Sequence, residues 1–104
     1  MAVLVKSIVK GQTTEGYNNV LNAVRESLEH APGFIVHFAH PDEEAWSVYD
    51  VWESKAQADE WFGKFIVPNL PAGIHPKRTY VELHAIVPRS ASIKDPNRPA
   101  LSQK

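Results

Sequence analysis

Apolar residues follow two periodicities along the chain, one typical of strands and one of helices. Residues 2–9 are rich in Val, Ile and Leu, which predicts a strand that is apolar on both faces. A helix follows, for which either Thr13 or Thr14 can serve as the N-cap. Its apolar residues recur every three or four positions from Tyr17 to Leu28, which predicts one continuous buried stripe.

The middle of the chain predicts a hairpin and then a second helix. Alternating apolar residues predict strands over residues 34–40 and 46–53, and the short polar turn between them favours an antiparallel pair. Ser54 and Gln57 have the spacing of a capping box, in which the Gln57 side chain bonds the cap amide. Helical periodicity then continues until Pro68.

The end of the chain predicts one more strand and a tail. Gly63 lies inside the second helix, where Gly costs about 1 kcal/mol relative to Ala, which indicates close packing against another element. Residues 78–87 predict the last strand. We therefore expect one domain over residues 1–88 and a flexible or surface tail over residues 89–104.

The order strand, helix, strand, strand, helix, strand predicts a ferredoxin-like α+β fold. Right-handed crossovers place both helices on one face of a four-stranded antiparallel sheet, with the first and third strands central. The strands carry apolar residues on both faces, so the face without helices needs an apolar cover. A second copy of the chain is the simplest cover, which predicts a homodimer.

Composition narrows the classes of function. The 104 residues carry a net charge of −1 without a basic cluster, so neither nucleic acid nor a membrane surface is an expected partner. The chain has no cysteine, which excludes disulfides, thiolate nucleophiles and iron–sulfur clusters. The first apolar run is too short to span a bilayer or to act as a signal peptide, and we expect a cytoplasmic protein.

Several segments resemble a known superfamily. The stretch "DVWESKAQADEW" (residues 50–61), preceded by a "GFIVHFA...W" hairpin and followed by "LHAIV", resembles the dimeric α+β barrel superfamily. More specifically, the chain resembles small antibiotic biosynthesis monooxygenase-like proteins over residues 2–88. The resemblance implies a homodimer with a small-molecule pocket between sheet and helices, and chemistry that needs no cofactor.

The resemblance also has limits. Trp61 matches the helix tryptophan of the haem-degrading branch, but Pro71 stands where that branch has its haem-ligating histidine. The histidine that many other members carry in the second helix has no counterpart here either. The resemblance therefore does not extend to haem degradation, and it does not identify a base in the second helix.

Three titratable residues are candidates for catalysis. His37 and His84 each lie between apolar neighbours in a predicted strand, where histidine can serve as a general base. Asp50 alternates with Val48 and Trp52, so it is a candidate partner for a histidine. The alternatives are a buried histidine that is hydrogen-bonded for structural reasons and a salt bridge from Asp50 to Lys6 or Arg78.

The register of the hairpin decides whether two of these candidates meet. A pairing whose residue numbers sum to an even value puts His37 opposite Tyr49, whereas an odd sum puts it opposite Asp50. The sequence leaves both open. Across a dimer, His37 of one subunit can also approach His84 of the other, but too few ligands accompany them to predict a metal site.

Aromatic residues supply candidate walls for a ligand pocket. We expect Trp52 and Trp61 as walls and Tyr49 or Tyr80 as a hydrogen-bond donor, although aromatic residues at helical spacing are more often core. The sequence thus predicts a pocket for a hydrophobic, aromatic or polyketide-like molecule, with a cofactor-free monooxygenase or isomerase reaction driven by a His/Asp base. The alternative is a non-catalytic ligand-binding or stress-associated dimeric module on the same scaffold.

Overall fold

The computed structural model describes residues 1–87, so the predicted tail lies outside the described residues. The strands are β1 (Val3–Lys10), β2 (Phe34–Pro41), β3 (Ala45–Trp52) and β4 (Lys77–Glu82), and the helices are α1 (Thr14–Glu29) and α2 (Lys55–Trp61). A π-helical turn (Phe62–Ile66) and a 3-10 turn (Val67–Asn69) continue α2. None of the helices among these residues is long and apolar enough to cross a bilayer.

The sheet has the strand order β2-β3-β1-β4, and every neighbouring pair is antiparallel. The predicted ferredoxin-like fold, with the first and third strands in the centre, is confirmed. Both helices pack on one face of this sheet, since Leu28 of α1 and Trp61 of α2 share a core cluster with Val5 and Trp52 of the central strands. We call this side the helix face and the opposite side the open face.

The strands divide their residues between these two faces. Val3, Val5, Ser7 and Val9 of β1 are buried on the helix face, with Val5 only 1% exposed. In β3, Trp46 and Trp52 are buried on the same side. The residues that alternate with these, including Lys6 of β1 and Tyr49 and Val51 of β3, lie on the open face.

Both helices begin at the predicted caps. The Thr13 hydroxyl accepts a hydrogen bond from the Gly16 amide at 2.9 Å, and the Ser54 hydroxyl accepts one from the Gln57 amide at 3.2 Å. The predicted capping box differs in one bond: the Gln57 side chain accepts from the Ser54 hydroxyl at 2.9 Å rather than from the Ser54 amide. The cap is thus a side-chain pair that still satisfies one first-turn amide.

The second helix is less regular than predicted. Its α-helical part ends at Trp61, seven residues before the predicted end, and a wider π-helical turn follows. Pro68 lies within the short 3-10 turn, near its start, where a missing amide costs no helical hydrogen bond. Widened turns of this kind are often found at functional sites.

The last strand is shorter than predicted. β4 ends at Glu82, which pairs with Val3, the first residue of β1. Beyond this pair, the Leu83 amide donates one further hydrogen bond to the Ala2 carbonyl at 2.9 Å, and the pairing of the two segments ends there. The expectation that His84 lies within a strand is therefore wrong, because the pairing of β4 with β1 ends before it.

The expected close packing at Gly63 is also wrong. Gly63 is exposed, and a Cβ atom added there would have no heavy atom within 4 Å. Gly11, by contrast, has φ +80°, a conformation that side chains disfavour. Of these two positions, only Gly11 has a backbone conformation that requires glycine.

We therefore predict opposite effects for two alanine substitutions. Gly63→Ala should raise the free energy of unfolding by about 0.5–1 kcal/mol, because it reduces backbone entropy in the unfolded chain. Gly11→Ala should lower it by about 1 kcal/mol because of backbone strain. Urea unfolding of both variants measures these changes, and a destabilised Gly63→Ala protein would contradict the assignment of open space at this position.

Candidate active site

A cavity of about 80 Å³ lies between the helix face of the sheet, α1 and the segment that follows α2. Most of its wall is apolar and comes from Val20, Leu21 and Val24 of α1, Val48 of β3, and Phe62 and Ile66 of the π-helical turn. The polar side chains in its wall include Tyr17, His37, Asp50 and Arg78. A small number of polar groups in an apolar wall is typical of small-molecule sites.

His37 and Asp50 face each other across β2 and β3. The register shifts between Phe34 and Val36, and this irregularity brings His37 opposite Asp50. His37 Nδ1 lies 2.5 Å from Asp50 Oδ1, and the two side chains are only 17% and 13% exposed. Of the two registers that the sequence allows, the structure has the one that joins the histidine to the carboxylate.

The predicted alternatives for Asp50 are not formed. Lys6 lies on the open face, where its Nζ atom is 5.9 Å from the centre of the Tyr49 ring. Arg78 binds Asp59 instead, with Nη2 3.2 Å from Oδ1. Among the described residues, Asp50 therefore has His37 as its partner instead of Lys6 or Arg78.

Tyr17 extends this pair into a chain of three groups. Its hydroxyl oxygen lies 2.6 Å from His37 Nε2, and its ring stacks on Trp46 with centroids 4.6 Å apart. Burial raises the pKa of Tyr17, and the negative charge of Asp50 raises it further, while Arg25 lowers it in part. Tyr17 is therefore a neutral hydroxyl at physiological pH.

The two hydrogen bonds of the imidazole match a neutral ring that is protonated at Nδ1. With Asp50 as a carboxylate, His37 Nδ1 carries the proton and donates it to Asp50 Oδ1. A neutral imidazole then accepts at Nε2, so the Tyr17 hydroxyl is the donor in the second bond. This pattern is the one in which a carboxylate orients a histidine as a base.

Arg78 brings a positive charge to another part of the cavity wall. In the sheet Arg78 pairs with Ser7, which in turn pairs with Val48, and all three residues line the cavity. The guanidinium lies 3.8 Å above the Phe62 ring and donates to Asp59, which holds it in place. The same cavity thus has an acid–base group and a fixed cation.

The predicted pocket residues Trp61, Trp52 and Tyr49 lie in three different environments: the cavity wall, the core and the open face. Trp61 lines the cavity, and its indole nitrogen is buried without a partner among residues 1–87. Trp52 is only 1% exposed and belongs to the core. Tyr49 lies on the open face, stacked on Phe38 at 4.8 Å.

Tyr80 and His84 also lie away from the cavity wall. The Tyr80 hydroxyl donates to Asp59 Oδ1 at 2.5 Å, so it supports the residue that holds Arg78. His84 is exposed beyond the end of β4. Within one chain, the structure brings together His37 and Asp50 but not His84.

Sequence reasoning missed two of the polar residues in the cavity wall. Tyr17 has the position of an apolar-stripe residue, and its hydroxyl is the only sign of another role. Arg78 in β4 pairs with Ser7 of the helix face, which places a cation on the buried side of an edge strand. A charged residue on a buried face is a signal that could have been used.

No group of three or more His, Asp or Glu side chains within residues 1–87 is arranged to hold a metal ion. The Tyr17 hydroxyl and the Asp50 carboxylate bond the two ring nitrogens of His37. Such a hydrogen-bonded arrangement of a carboxylate, an imidazole and a hydroxyl supports proton transfer.

The structure has a four-stranded antiparallel sheet with two helices on one face and a cavity between the layers, as the resemblance led us to expect. The resemblance to antibiotic biosynthesis monooxygenase-like proteins is thereby confirmed at the level of fold. No protein-family model matches the chain, and no curated protein matches it in sequence.

Solved structures with the same fold do match. SnoaB, a cofactor-independent oxygenase from Streptomyces nogalater, aligns with a TM-score of 0.62 and 13% identity, over 85% of this chain and 97% of SnoaB. The ActVA-Orf6 monooxygenase of Streptomyces coelicolor, in complex with nanaomycin D, aligns with a TM-score of 0.57 and 19% identity, over 86% and 93% of the chains. A MhuD variant with two manganese protoporphyrin IX groups per active site aligns with a TM-score of 0.59 and 17% identity, over 86% and 100%.

The cluster around Arg78 generates a prediction about pH. Burial alone would raise the pKa of Asp59, but hydrogen bonds from Lys55, Tyr80 and Arg78 together lower it below its usual value. A carboxyl group with a lowered pKa in the folded state stabilises the fold above its unfolded pKa, and this contribution is lost as the pH falls through the folded value.

Asp59→Asn should therefore lower the free energy of unfolding near neutral pH by about 1 kcal/mol, a value reduced for solvent screening because the side chain is 40% exposed. The difference from the wild type should disappear below the lowered pKa. Urea unfolding as a function of pH tests this. Glu29→Gln, which breaks the exposed Arg25–Glu29 pair, is the control and should change stability by only about 0.3 kcal/mol. An Asp59→Asn effect that is equal at neutral and strongly acidic pH would contradict the electrostatic origin.

Proposed function

We propose that this protein binds a small hydrophobic, aromatic or polyketide-like molecule in the cavity and removes a proton from it in a cofactor-free monooxygenase reaction. The observation that carries the proposal is the hydrogen-bonded His37–Asp50 pair in the wall of an apolar cavity. The fold shared with a cofactor-independent oxygenase and with a monooxygenase supports it.

The geometry suits removal of a weakly acidic proton. A carboxylate beside Nδ1 stabilises the imidazolium that forms when His37 gains a proton. The ligand becomes an anion, and Arg78 is the cation in the same wall that can stabilise its oxygen. Both charges develop in an apolar environment, where such interactions are stronger than in water.

The oxygen step that follows needs only the activated ligand and molecular oxygen. A ligand CH₂ group beside an aromatic or carbonyl system loses one proton, and the carbanion adds O₂ to form a peroxide. Loss of the second C–H proton together with cleavage of the O–O bond leaves C=O on the ligand and releases water. One oxygen atom is thus incorporated and one is reduced, and isomerisation or cyclisation is the outcome where O₂ does not react.

The size of the cavity bears on the ligand. A cavity of about 150 Å³ holds benzene, whereas this one measures about 80 Å³. A ligand with one or more aromatic rings therefore needs the wall to move outward. Leu70 and Pro76 belong to the wall and lie in the segment between the 3-10 turn and β4, which has no sheet partner.

The second candidate is a non-catalytic ligand-binding or stress-associated dimeric module. One observation favours it: the polar groups of Tyr17, His37 and Asp50 bond one another, which also satisfies buried groups without any reaction. Such a protein would bind the same class of ligand and leave it unchanged. Turnover separates the two candidates.

We further propose that the open face is the interface of a homodimer. Three large apolar side chains on this face are strongly exposed: Val36 at 43%, Phe38 at 49% and Val81 at 54%. Leu4, Ile8 and Tyr49 lie between them on the same face. Contiguous apolar surface of this kind marks an interface, and a two-fold axis lets one face cover its own copy.

The catalytic proposal predicts a large loss of turnover in His37→Gln. The amide cannot accept a proton at neutral pH, so kcat should fall by about 10²–10⁴-fold. The assay follows O₂ uptake and ketone formation with a panel of small quinols and anthrones. His30→Gln, which changes an exposed histidine at the end of α1, is the control and should keep wild-type turnover.

Two results would count against this assignment. Equal turnover of the His37→Gln and wild-type proteins would remove His37 as the base. Tight binding of a quinol by the wild type without any O₂ uptake or rearrangement would favour the non-catalytic module.

The interface proposal predicts a weaker dimer when a charge is inserted into the open face. Phe38→Glu buries a carboxylate in the apolar interface without a partner and should weaken the dimer by at least about a hundredfold. Analytical ultracentrifugation measures the change. Val67→Glu is the matched control, since Val67 is 52% exposed but lies on the 3-10 turn, away from the open face. A wild-type monomer at micromolar concentration, or a Phe38→Glu dimer, would contradict the proposal.

A further inference from the structure

We infer that Tyr17, rather than His37, is the catalytic group that meets the ligand, and that it passes the ligand's proton to His37 within an Asp50–His37–Tyr17 relay. The ligand class that this relay takes is a small phenol or an enolised carbonyl compound, with its hydroxyl group against Tyr17. The inference rests on the proposed function and assigns the contact atom within it.

The first argument is that the imidazole has no free nitrogen. His37 Nδ1 is bonded to Asp50 Oδ1 at 2.5 Å, and Nε2 is bonded to the Tyr17 hydroxyl at 2.6 Å. A ligand proton can reach His37 directly only if one of these bonds breaks. Breaking either bond inside a largely buried cluster leaves a polar group without a partner, which costs about 1–3 kcal/mol.

The second argument is that Tyr17 is held in place while part of its oxygen stays available. Its ring is stacked between Trp46 at 4.6 Å and His37 at 6.0 Å, nearly parallel to both. Its amide donates to the Thr13 carbonyl at 2.8 Å, which anchors it to the capped first turn of α1. The hydroxyl donates once, to His37, and keeps two lone pairs that can accept from a ligand in the cavity that Tyr17 lines.

The proton movement balances without any oxidant. The ligand O–H bond breaks as its proton binds Tyr17 Oη, while the original Tyr17 proton moves to His37 Nε2. The products are a ligand anion and an imidazolium that Asp50 stabilises through the Nδ1–H bond. Tyr17 ends as a neutral hydroxyl that now donates to the ligand oxygen.

The electrostatics agree with this direction of transfer. Burial and the charge of Asp50 both raise the pKa of Tyr17, so a lasting phenolate at this position is unfavourable. The negative charge therefore moves to the ligand, whose cavity also contains the Arg78 guanidinium. Tyr17 acts as a carrier of protons and not as the final acceptor.

The ligand class follows from the same wall. An apolar wall that includes the Tyr17 hydroxyl as an acceptor and Arg78 as a cation suits a ligand with a single acidic hydroxyl group. Phenols and enols combine such a hydroxyl with an apolar body. The carbon beside the resulting oxyanion then carries the electron density that the proposed oxygenation requires.

The test uses 4-nitrophenol, whose visible spectrum distinguishes the phenol from the phenolate. Bound to the full-length wild-type protein below its own solution pKa, it should appear as the phenolate. In Tyr17→Phe, which keeps the stacked ring, the bound phenolate fraction should fall by about tenfold or more. His37→Gln should cause the same loss, because the relay then has no acceptor.

The possible results separate the relay from the proposed function. Bound phenolate that persists in Tyr17→Phe and disappears in His37→Gln would overturn the relay and leave His37 as a direct base. Phenolate that persists in both variants would overturn the relay and the proposed base together. Failure of the wild type to bind 4-nitrophenol, or binding of it as the neutral phenol, would overturn the assigned ligand class.

A second measurement needs no ligand and covers the case in which Tyr17→Phe does not fold. Titration of Tyr17 by NMR in Asp50→Asn should show its pKa shifted down toward the ordinary tyrosine value, because the charge that raises it is gone. Glu29→Gln, which removes an exposed carboxylate at the far end of α1, should leave this titration unchanged. An unchanged Tyr17 pKa in Asp50→Asn would contradict the coupling on which the relay depends.

Discussion

The register of β2 on β3 is the constraint on which the candidate site depends. Phe34 pairs with Trp52, and continuing that register would put His37 opposite Tyr49 on the open face. One extra residue between Phe34 and Val36 shifts the pairing, so that His37 lies opposite Asp50 on the helix face. Since successive side chains alternate between faces, a shift of one residue moves the imidazole from one side of the sheet to the other.

The same shift also determines what the open face presents. Beyond the irregularity, Val36 and Phe38 lie on the open face, and His37 and Ala39 lie toward the helices. The two faces of this hairpin therefore differ in chemistry: one is apolar and exposed, and the other has the acid–base cluster. One local irregularity thus separates the proposed interface from the proposed active site.

The fold could be predicted from the sequence, but this irregularity could not. The periodicities of residues 2–9 and of α1, and the caps at Thr13 and Ser54, are local signals that survive in the structure. Residues 34–36 contain neither Gly nor Pro to mark a bulge, so the two registers looked equal. The pairing is decided by side chains distant in sequence, including Tyr17 and Asp50, which bond opposite sides of the same imidazole.

Other differences between the predicted and the observed site also arise from contacts between residues that are distant in sequence. The sequence predicts Tyr17 as a member of the apolar stripe of α1 because its ring is apolar, and in the structure this ring stacks on Trp46. Its hydroxyl gains a hydrogen-bonding role only because His37 of β2 lies beside it. The sequence predicts Tyr49 or Tyr80, and not Tyr17, as the hydrogen-bond donor, yet Tyr49 lies on the open face and Tyr80 bonds Asp59. Composition identifies which residues can do chemistry, whereas tertiary packing decides which of them meet.

The two polar clusters of the helix face differ in what they contribute to stability. The cluster around Asp59 is partly exposed and joins charges that stabilise the fold through screened ion pairs. Tyr17, His37 and Asp50 are more deeply buried, and the desolvation of buried polar groups offsets most of what their bonds contribute. Apolar side chains of similar volume would stabilise that wall about as well. Stability alone therefore does not account for three linked proton-carrying groups beside an apolar cavity, whereas the proposed transfer of a proton from a bound ligand does.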